Sequence, residues 1–305
     1  LFHICLPGFL GSERRFKDLY VVPHNKGGAD KQATEMLEML GRLIKPFILR
    51  RTRGQVLKEL PQIIEDTRLC ALSDDQVALY RQLIDEGEAV VESLQDESSA
   101  IPYMNVLAMI TRLKQICNHP CLIEGTTDFD HYASGKWDLF VELVEELVDA
   151  GMKFVVFSQY TQMLAVIEKY FTTAGIDFCS LDGGMPTQTR QKMIRRFNED
   201  SHCRAFVASL LAGGVGIDLT AAQAVIHYDR WWNPAKEEQA TARVHRMGQQ
   251  HVVQCFRLIT RGTLEEKIHR LIDRKKALTT AVIQEDEANI IKQMDRKELT
   301  ELFRF

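Results

Sequence analysis

Short apolar runs alternate with longer helical patterns along the second half of the chain. A run such as Lys153–Ser158, which reads Lys-Phe-Val-Val-Phe-Ser, predicts a strand that is buried on both faces. The predicted strands are 153–158, 178–181, 205–209, 224–228 and 252–259, and the predicted helices are 136–150, 162–174, 187–198 and 235–244. Strands that alternate with helices imply crossover connections, and therefore a doubly wound α/β fold with a parallel sheet.

The chain before this region has a helical pattern. Ser73 and Gln76 carry the signature of a capping box, so a helix is predicted to begin there. A second helix is predicted over Tyr103–Cys117, and the two are expected to form a helical protrusion over residues 71–133. Residues 1–70 hold one further helical pattern, which Pro46 should end or kink.

The last residues are also predicted to be helical. A long helix is predicted over Thr263–Gln284, with apolar residues at helical spacing, and one more helix over Glu287–Phe305. For the last helix, an amphipathic pattern formed by chance is a sufficient explanation.

Composition fits a chain of two globular domains. The chain has 305 residues, 45% of them hydrophobic. It contains no run of eighteen apolar residues, so no membrane-spanning helix is expected. The opening Leu1–Gly8 has neither an initiator methionine nor a signal-peptide pattern, and is interpreted as an internal start. The 7 cysteines are irregularly spaced, which indicates reduced thiols in a cytosolic or nuclear setting.

The formal net charge is −4, unlike that of a typical basic DNA-binding domain. A nucleic-acid partner would have to be held by local basic patches. The candidate patches are 14–17, 50–53, 190–196 and 274–276. Taken singly, each patch is typical of a solvated face.

Cys117-Asn-His-Pro-Cys121 places two thiols and an imidazole close together. A structural zinc site needs four ligands in separated pairs, and no second Cys/His pair appears in the sequence. No metal site is therefore predicted.

Polar residues or glycines follow four consecutive predicted strands. The turns are Phe157-Ser-Gln159, Leu181-Asp-Gly-Gly184, Ser209-Leu-Leu-Ala-Gly213 and Asp229-Arg-Trp231. Ligands of open α/β sheets bind beyond the carboxyl ends of the strands, which favours a functional face here. The alternative is that these are ordinary loop residues.

The segment Gln239–Gln249 places Arg243 and Arg246 three residues apart on one helical turn. Both can point at a single anionic target, and the fixed planar charge of arginine suits a phosphoryl-transfer transition state. The alternative is an exposed helix with unrelated charges.

These motifs resemble those of the SWI/SNF-related ATPases, a branch of helicase superfamily two. The residues that carry the resemblance are Ser209-Leu-Leu-Ala-Gly-Gly-Val-Gly216, Leu219-Thr-Ala-Ala222, Val225-Ile-His-Tyr-Asp-Arg-Trp-Trp-Asn-Pro234, Gln239-Ala-Thr-Ala-Arg-Val-His-Arg-Met-Gly-Gln249, Arg257-Leu-Ile259 and Gly262-Thr-Leu-Glu-Glu-Lys-Ile268. The resemblance implies a RecA-like C-terminal motor lobe over residues 134–262 and a helical brace over 263–305. Residues 1–70 would be the remnant and exit segment of a first motor lobe.

The resemblance also implies roles for individual residues. Arg243 and Arg246 correspond to arginine fingers, catalytic residues that reach the γ-phosphate held by the first lobe. The implied nucleotide-binding residues are Gly214, Gly216, Asp218 and Gln239. The implied contacts to double-stranded DNA are Ser158, Gln159, Gly183, Arg190, Ser209, Thr220 and Trp231. Contacts to phosphate are expected because a translocase must ignore sequence. Of the adjacent tryptophans, Trp231 is expected to stack near DNA and Trp232 to be packed.

Two positions depart from the family pattern. Asp218 stands where Asn is usual, so a contact to the ribose and a neutral exchange both stay open. Leu6 also stands where the family usually has Asn. The family carries Cys-Asn-His-Pro without a metal.

ATP hydrolysis needs a phosphate-cradling G-x-x-x-x-G-K-[ST] loop and an acidic pair for magnesium. No such loop occurs in these 305 residues, and no Asp-Glu-x-His sequence follows an apolar strand, since the acidic run Glu285-Asp-Glu287 lies in the predicted helical tail. We therefore expect half of an active site, inactive alone, with ATP and Mg²⁺ held mainly by the N-terminal RecA-like lobe. Without that lobe, Arg243 and Arg246 are expected to face solvent and to be poorly ordered.

The leading hypothesis is the second motor lobe of a DNA-dependent ATPase that translocates on double-stranded DNA and remodels protein–DNA complexes. One alternative is a strand-separating helicase or restriction-type translocase of the same superfamily, and another is a non-catalytic binding module. We expect a monomer with no membrane partner and with protein regulators as further partners. It would be cytoplasmic and nucleoid-associated in a bacterium or archaeon, or nuclear in a eukaryote.

Overall fold

The computed structural model describes residues 2–16, 19–20, 31–47, 60–96, 100–181, 183–209, 217–278, 287–292 and 294–305. The chain divides into two compact units, Leu1–Lys58 and Glu59–Phe305. Some predicted residues lie outside the described part. These are Gly214, Gly216, the basic patch 50–53 and the side chains of the basic patch 274–276.

Within its described residues, the smaller unit is helical. Its helices are α1 (Phe2–Cys5), α2 (Glu13–Phe16) and α3 (Lys31–Ile44). A 3₁₀ turn over Lys45–Phe47 follows α3, so the prediction that Pro46 ends this helix is confirmed. The rings of Phe9 and Phe47 meet edge to face, with centroids 4.9 Å apart.

The larger unit is built around a six-stranded sheet in which every pairing is parallel. Its strands are β1 (Ile63–Cys70), β2 (Phe154–Ser158), β3 (Phe178–Leu181), β4 (Ala205–Ser209), β5 (Ala224–His227) and β6 (Val253–Thr260). They lie in the order β1-β6-β5-β2-β4-β3. The predicted doubly wound parallel α/β fold is confirmed.

Helices connect and flank the strands of this unit. They are α4 (Asp74–Glu86), α5 (Glu88–Gln95), α6 (Tyr103–Asn118), α7 (Cys121–Glu124), α8 (Gly135–Asp149), α9 (Thr161–Thr173), α10 (Thr187–Glu199), α11 (Pro234–Val244), α12 (Leu264–Leu278), α13 (Glu287–Lys292) and α14 (Arg296–Phe303). Every residue of β2, β4 and β5 is buried, because alternate side chains enter the two apolar clusters on opposite faces of the sheet. The apolar runs in the sequence are the consequence of this double burial.

The edge strand β1 was not predicted. It pairs with β6 along its whole length, from Ile63 opposite Val253 to Cys70 opposite Thr260. Its sequence, Ile-Ile-Glu-Asp-Thr-Arg-Leu-Cys, has a polar centre because most of the strand is exposed at the edge of the sheet. Residues 60–70 therefore belong to the larger unit, and they are the last part of the range 1–70 that is predicted to be the remnant and exit segment of a first motor lobe.

The predicted protrusion and brace share one apolar core. Helices α4 and α6 contribute Tyr80 and Leu113, and the C-terminal helix α14 contributes Leu299. The capping box at the start of α4 is confirmed, since the Ser73 hydroxyl accepts from the Gln76 N–H at 3.2 Å and the reverse bond is also present.

The prediction of one helix over Glu287–Phe305 is wrong, because a second capping box at Asp295 starts a separate helix. Leu299 is 0% exposed, so this helix is part of the fold and chance amphipathicity does not explain it.

A buried ion pair joins the brace to the lobe. Lys136 at the start of α8 donates to both carboxylate oxygens of Glu265 in α12, at 2.5 and 2.6 Å, and neither side chain is exposed. Lys136 also donates to the side-chain oxygen of Asn118 at 3.2 Å, at the end of α6. Burial is the largest single influence and would lower the pKa of Lys136, but the charge and hydrogen bond of Glu265, together with the nearby Cys70 and Cys117, raise the pKa overall.

The Cys117–Cys121 segment packs as part of the core. The ring of His119 lies edge-on to Trp137, with centroids 5.7 Å apart, and its Nδ1 accepts from the Cys121 N–H at 3.2 Å. Burial raises the pKa of the Cys117 thiol far above its usual value and that of Cys121 to about 11. Buried, protonated thiols are poor nucleophiles, so this segment has a packing role.

Acidification should destabilise the larger unit through two buried histidines. Burial lowers the pKa of His119 and of His227 from 6.5 to about 4. In the unfolded state these histidines therefore bind protons near pH 6.5, whereas in the folded state they stay neutral until the pH approaches 4. Stability is full above about pH 6.5 and is lost as the pH falls towards 4, by on the order of 2–3 kcal/mol per histidine.

Urea unfolding at pH 7 and pH 5 measures this effect. His202→Gln, which removes a side chain that is 91% exposed, should retain the whole pH dependence. Equal stability at the two pH values would contradict the prediction.

Candidate functional site

The carboxyl ends of the central strands form one edge of the sheet, which we call the carboxyl edge. Ser158 ends β2 and Ser209 ends β4, and these serines are direct partners in the parallel register. The turn after β5 carries Asp229 beside them. The predicted turns therefore meet at one edge.

Ser158 supports this edge from within. Its side chain is 0% exposed, and its hydroxyl donates to the carboxylate of Asp229. The backbone N–H of Gln159 donates to the same carboxylate at 3.2 Å. The hydroxyl predicted to contact DNA is thus used inside the protein, where it fixes the turn that presents Gln159.

A buried lysine from the protrusion lies under the same turn. The Nζ of Lys114 in α6 donates to the backbone oxygen of Arg230 at 3.0 Å, and the side chain is 0% exposed. Burial raises the pKa of Asp229, and the positive charge of Lys114 opposes that rise. Neither Lys114 nor Asp229 was predicted to be part of the site. A lysine on the apolar face of a predicted helix was the available signal for Lys114.

Two arginines share the buried carboxylate of Glu237 in α11. Arg230 donates to it from the turn after β5, and Arg257 donates from β6 at 3.2 Å. Arg257 also donates to Glu65 of β1 at 2.9 Å, and the Trp231 N–H donates to Glu237 at 3.0 Å. Burial is the largest single influence and would raise the pKa of Glu237, but Arg230, His227, the Trp231 N–H and Arg257 together lower it. This network fixes the turn to α11, β6 and β1.

Both tryptophans of the turn are buried. Trp232 is 6% exposed and lies in the core shared by the protrusion and the brace, so its predicted packing is confirmed. Trp231 is only 7% exposed, and the Lys236 ammonium lies 5.4 Å from its ring centroid. The expectation that Trp231 is more exposed than Trp232 is therefore wrong. The turn that carries Trp231 is held against the buried carboxylate of Glu237.

The other predicted DNA contacts of this edge differ in exposure. Gly183 is exposed in the turn after β3, and Gln159 is partly exposed after β2. Arg190 is partly exposed near the start of α10, and Ser209 is 6% exposed. The surface at this edge is therefore formed by Gly183, Gln159 and Arg190.

The segment Arg243–Gln249, which we call the finger segment, lies at the opposite, amino edge of the sheet. The backbone oxygen of Arg243 accepts from the Leu219 N–H at 2.9 Å, and Gln249 donates to the backbone oxygen of Ala222 at 2.8 Å, just before β5 begins. Thr220 lies beside Gly248 of this segment, since a Cβ there would be 4.0 Å from the Thr220 methyl. Thr220 is thus separated from the other predicted DNA contacts.

Arg246 has a partner within the chain. Its guanidinium donates to the carboxylate of Asp218, with side chains that are 37% and 54% exposed respectively. The expectation that Arg246 only faces solvent is therefore wrong. Arg243 is half-buried in the last turn of α11, and Gln239 is exposed on the same helix. Arg246 lies beyond Val244, where the helix ends, so the prediction that both arginines lie on one helical turn is wrong.

Comparisons with known proteins agree with this arrangement. The model described as "Helicase conserved C-terminal domain" matches residues 135–248, and the one described as "SNF2-related domain" matches residues 1–122. The solved C-terminal domain of the Sulfolobus solfataricus SWI2/SNF2 ATPase is 30% identical, with a TM-score of 0.64, and the match covers 79% of this chain and 98% of that one. The chain belongs to the SNF2-related ATPase family.

Two further relatives of this SNF2-related chain extend the comparison. The Sulfolobus solfataricus SWI2/SNF2 ATPase core in complex with dsDNA is 32% identical, with a TM-score of 0.66, over 97% of this chain and 61% of that one. The putative ATP-dependent helicase/translocase YwqA of Bacillus subtilis (strain 168) is 36% identical over 99% of this chain. The chain spans 28% to 32% of the lengths of such curated relatives.

The sheet of this SNF2-related chain is the RecA-like α/β fold expected from the resemblance. Within the described ranges, no group of three or more His, Cys, Asp or Glu residues is arranged to hold a metal ion. Of the helices that the structure describes, none is long and apolar enough to cross a membrane.

Proposed function

We propose that this chain supplies the second motor lobe of an ATPase that translocates on double-stranded DNA and remodels protein–DNA complexes. The observation that carries the proposal is the division of the sheet into two edges. The finger segment lies at the amino edge, and the strand-end turns lie at the carboxyl edge. One lobe can then face a nucleotide on one side and DNA on the other.

On the nucleotide side, we assign Arg243 and Arg246 as arginine fingers for ATP held by the first lobe. A guanidinium that enters a phosphoryl-transfer site stabilises the charge of the transition state. Gln239 lies one helical turn before Arg243, where it can contact the same ligand. We assign the loop that cradles the phosphates and binds Mg²⁺ to the first lobe. The second lobe, which this chain supplies, would therefore not hydrolyse ATP alone.

On the DNA side, we assign Gly183, Gln159 and Arg190 to contacts with the phosphate backbone. Their exposure at the carboxyl edge supports this assignment, as does the buried network that holds the Gln159 turn in place. Phosphate contacts position a protein on DNA without reading sequence, which suits a translocase. Ser158, Ser209 and Trp231 would support this surface from beneath.

The Arg190→Ala variant of the full-length protein should bind duplex DNA more weakly and with a weaker salt dependence. Each phosphate contact releases counterions, so the slope of log affinity against log salt should fall by about one unit. Titrations at several salt concentrations measure the slope. Arg304→Ala is the matched control, since this arginine is 80% exposed, pairs with Glu301 and lies outside the candidate basic patches. An unchanged slope for Arg190→Ala would remove this residue from the DNA surface.

A strand-separating helicase is the second candidate, because the Bacillus subtilis relative YwqA is described as a putative ATP-dependent helicase/translocase. Unwinding of a labelled duplex, measured beside duplex-stimulated ATP hydrolysis, separates the two. Hydrolysis and translocation with little unwinding support the first proposal, and robust unwinding supports the second.

A further inference from the structure

We propose that Asp218 is a positioning residue that binds the Arg246 finger in a resting position and releases it when the phosphates of ATP bind Arg246. This inference rests on the proposed function, because it needs Arg246 to be a finger. The observation behind it is the ion pair between the Asp218 carboxylate and the Arg246 guanidinium. The Arg246 guanidinium, which would bind ATP, is therefore already paired with a carboxylate of the same chain.

The backbone around Asp218 is fixed to the lobe. Its neighbours Ile217 and Leu219 are 2% and 1% exposed, so both sides of the position are anchored in the core. The backbone oxygen of Asp218 accepts from the side-chain amide of Asn198 at 2.7 Å. The Leu219 N–H donates to the backbone oxygen of Arg243 at 2.9 Å. These bonds hold the backbone of Asp218 in place beside the end of α11.

The backbone of the finger is fixed as well. The backbone oxygen of Arg246 accepts from the Gln249 N–H at 3.0 Å, which closes a turn. Gly248 within this turn has φ of +99°, a conformation that favours glycine. An exchange of partners is therefore confined to the long Arg246 side chain, which reaches Asp218 in one rotamer and can extend away from the lobe in others.

The exposure of the pair makes the exchange easy. The side chains of Arg246 and Asp218 are 37% and 54% exposed, so water and salt screen their attraction. An ion pair in such a setting favours its bound form by a factor of about five at most. A terminal phosphate of ATP offers several charged oxygens to the same guanidinium and can displace a single carboxylate. Asp218 therefore competes with ATP for the finger, and its removal should tighten nucleotide binding.

The test uses the full-length protein and a non-hydrolysable ATP analogue with Mg²⁺, titrated at equilibrium by fluorescence. Asp218→Asn keeps the size of the side chain and removes its charge. We expect it to tighten analogue binding about two- to fivefold. Glu142→Gln, an exposed residue on α8, makes the same charge change elsewhere and should leave the affinity unchanged.

A double-mutant cycle with Arg246→Ala shows whether Asp218 acts through the finger. The proposal requires that Asp218→Asn has no effect on analogue affinity once Arg246 is gone. If the tightening persists in the Arg246→Ala background, Asp218 acts by direct repulsion of ATP and the proposal is wrong. If Asp218→Asn loosens the analogue, Asp218 is itself a nucleotide ligand and the proposal is equally wrong.

The cycle also separates this inference from the proposed function. If Arg246→Ala retains ATP hydrolysis, the finger assignment fails and the Asp218 inference fails with it. If hydrolysis is lost in Arg246→Ala while Asp218→Asn binds the analogue as the wild type does, only the Asp218 inference fails.

Discussion

Replacement of Arg246 by alanine in the full-length protein is expected to abolish most DNA-stimulated ATP hydrolysis while duplex binding stays near normal. Loss of an arginine finger typically reduces the rate by about 10³-fold or more. DNA binding should survive because Arg246 lies at the amino edge, whereas Gln159 and Arg190 lie at the carboxyl edge. Steady-state hydrolysis and duplex affinity are to be measured on the same preparation.

Two further variants sharpen this test. Arg246→Lys keeps a positive charge but loses the planar donor fork, so its rate should stay far below that of the wild type. Arg304→Ala removes an arginine that is 80% exposed and pairs with Glu301, and should hydrolyse ATP normally. Hydrolysis at the wild-type rate in Arg246→Ala would contradict the finger assignment.

Helix α11 is the structural link between the two edges. This helix is 11 residues long, which corresponds to about 16 Å. The Arg230–Glu237 pair lies at its start and the finger segment at its end. The Glu237 network fixes its first turn, and the bond from Leu219 to Arg243 fixes its last. The finger segment and the turn after β5 are therefore held in a fixed relation to each other by one helix.

The sheet could be predicted from the sequence because its central strands have no polar face. A strand such as Phe154–Ser158, buried on both sides, leaves an unmistakable apolar run. The edge strand β1 could not, since its exposed centre is polar and its stability comes from pairing with β6. Pattern analysis detects burial, and an edge strand is stabilised mainly by backbone hydrogen bonds.

The site was predicted less completely than the fold. Motif positions identified the strand ends and the finger helix, but not which side chains face outward. The Ser158 hydroxyl faces inward because it donates to the buried carboxylate of Asp229. Trp231 lies in a turn that is fixed to the buried carboxylate of Glu237 through the Trp231 backbone N–H. The contact between Asp218 and Arg246 joins positions 28 residues apart, and depends on the bonds that bring the Leu219 loop to α11. A local sequence pattern cannot predict a contact between residues so far apart in the chain.

The largest effect on stability is expected from breaking the buried pair of Lys136 and Glu265. Each side chain is 0% exposed, so removal of one leaves a charge without its counter-charge in the core. Lys136→Met or Glu265→Leu should each reduce the free energy of unfolding by about 3–5 kcal/mol. Urea unfolding at pH 7 measures the loss. Arg270→Ala is the control, because its pair with Glu266 is exposed and worth about 1 kcal/mol at most.

The double variant Lys136→Met/Glu265→Leu decides how that loss arises. If the uncompensated charge is the cause, the double variant should be more stable than either single one, because it buries no charge at all. Recovery should still be incomplete, since Glu265 also accepts from the Thr260 N–H at 3.0 Å, and that donor would lose its acceptor. If the two losses simply add, the residues contribute separately through packing, and the ion pair is not what joins the brace to the lobe.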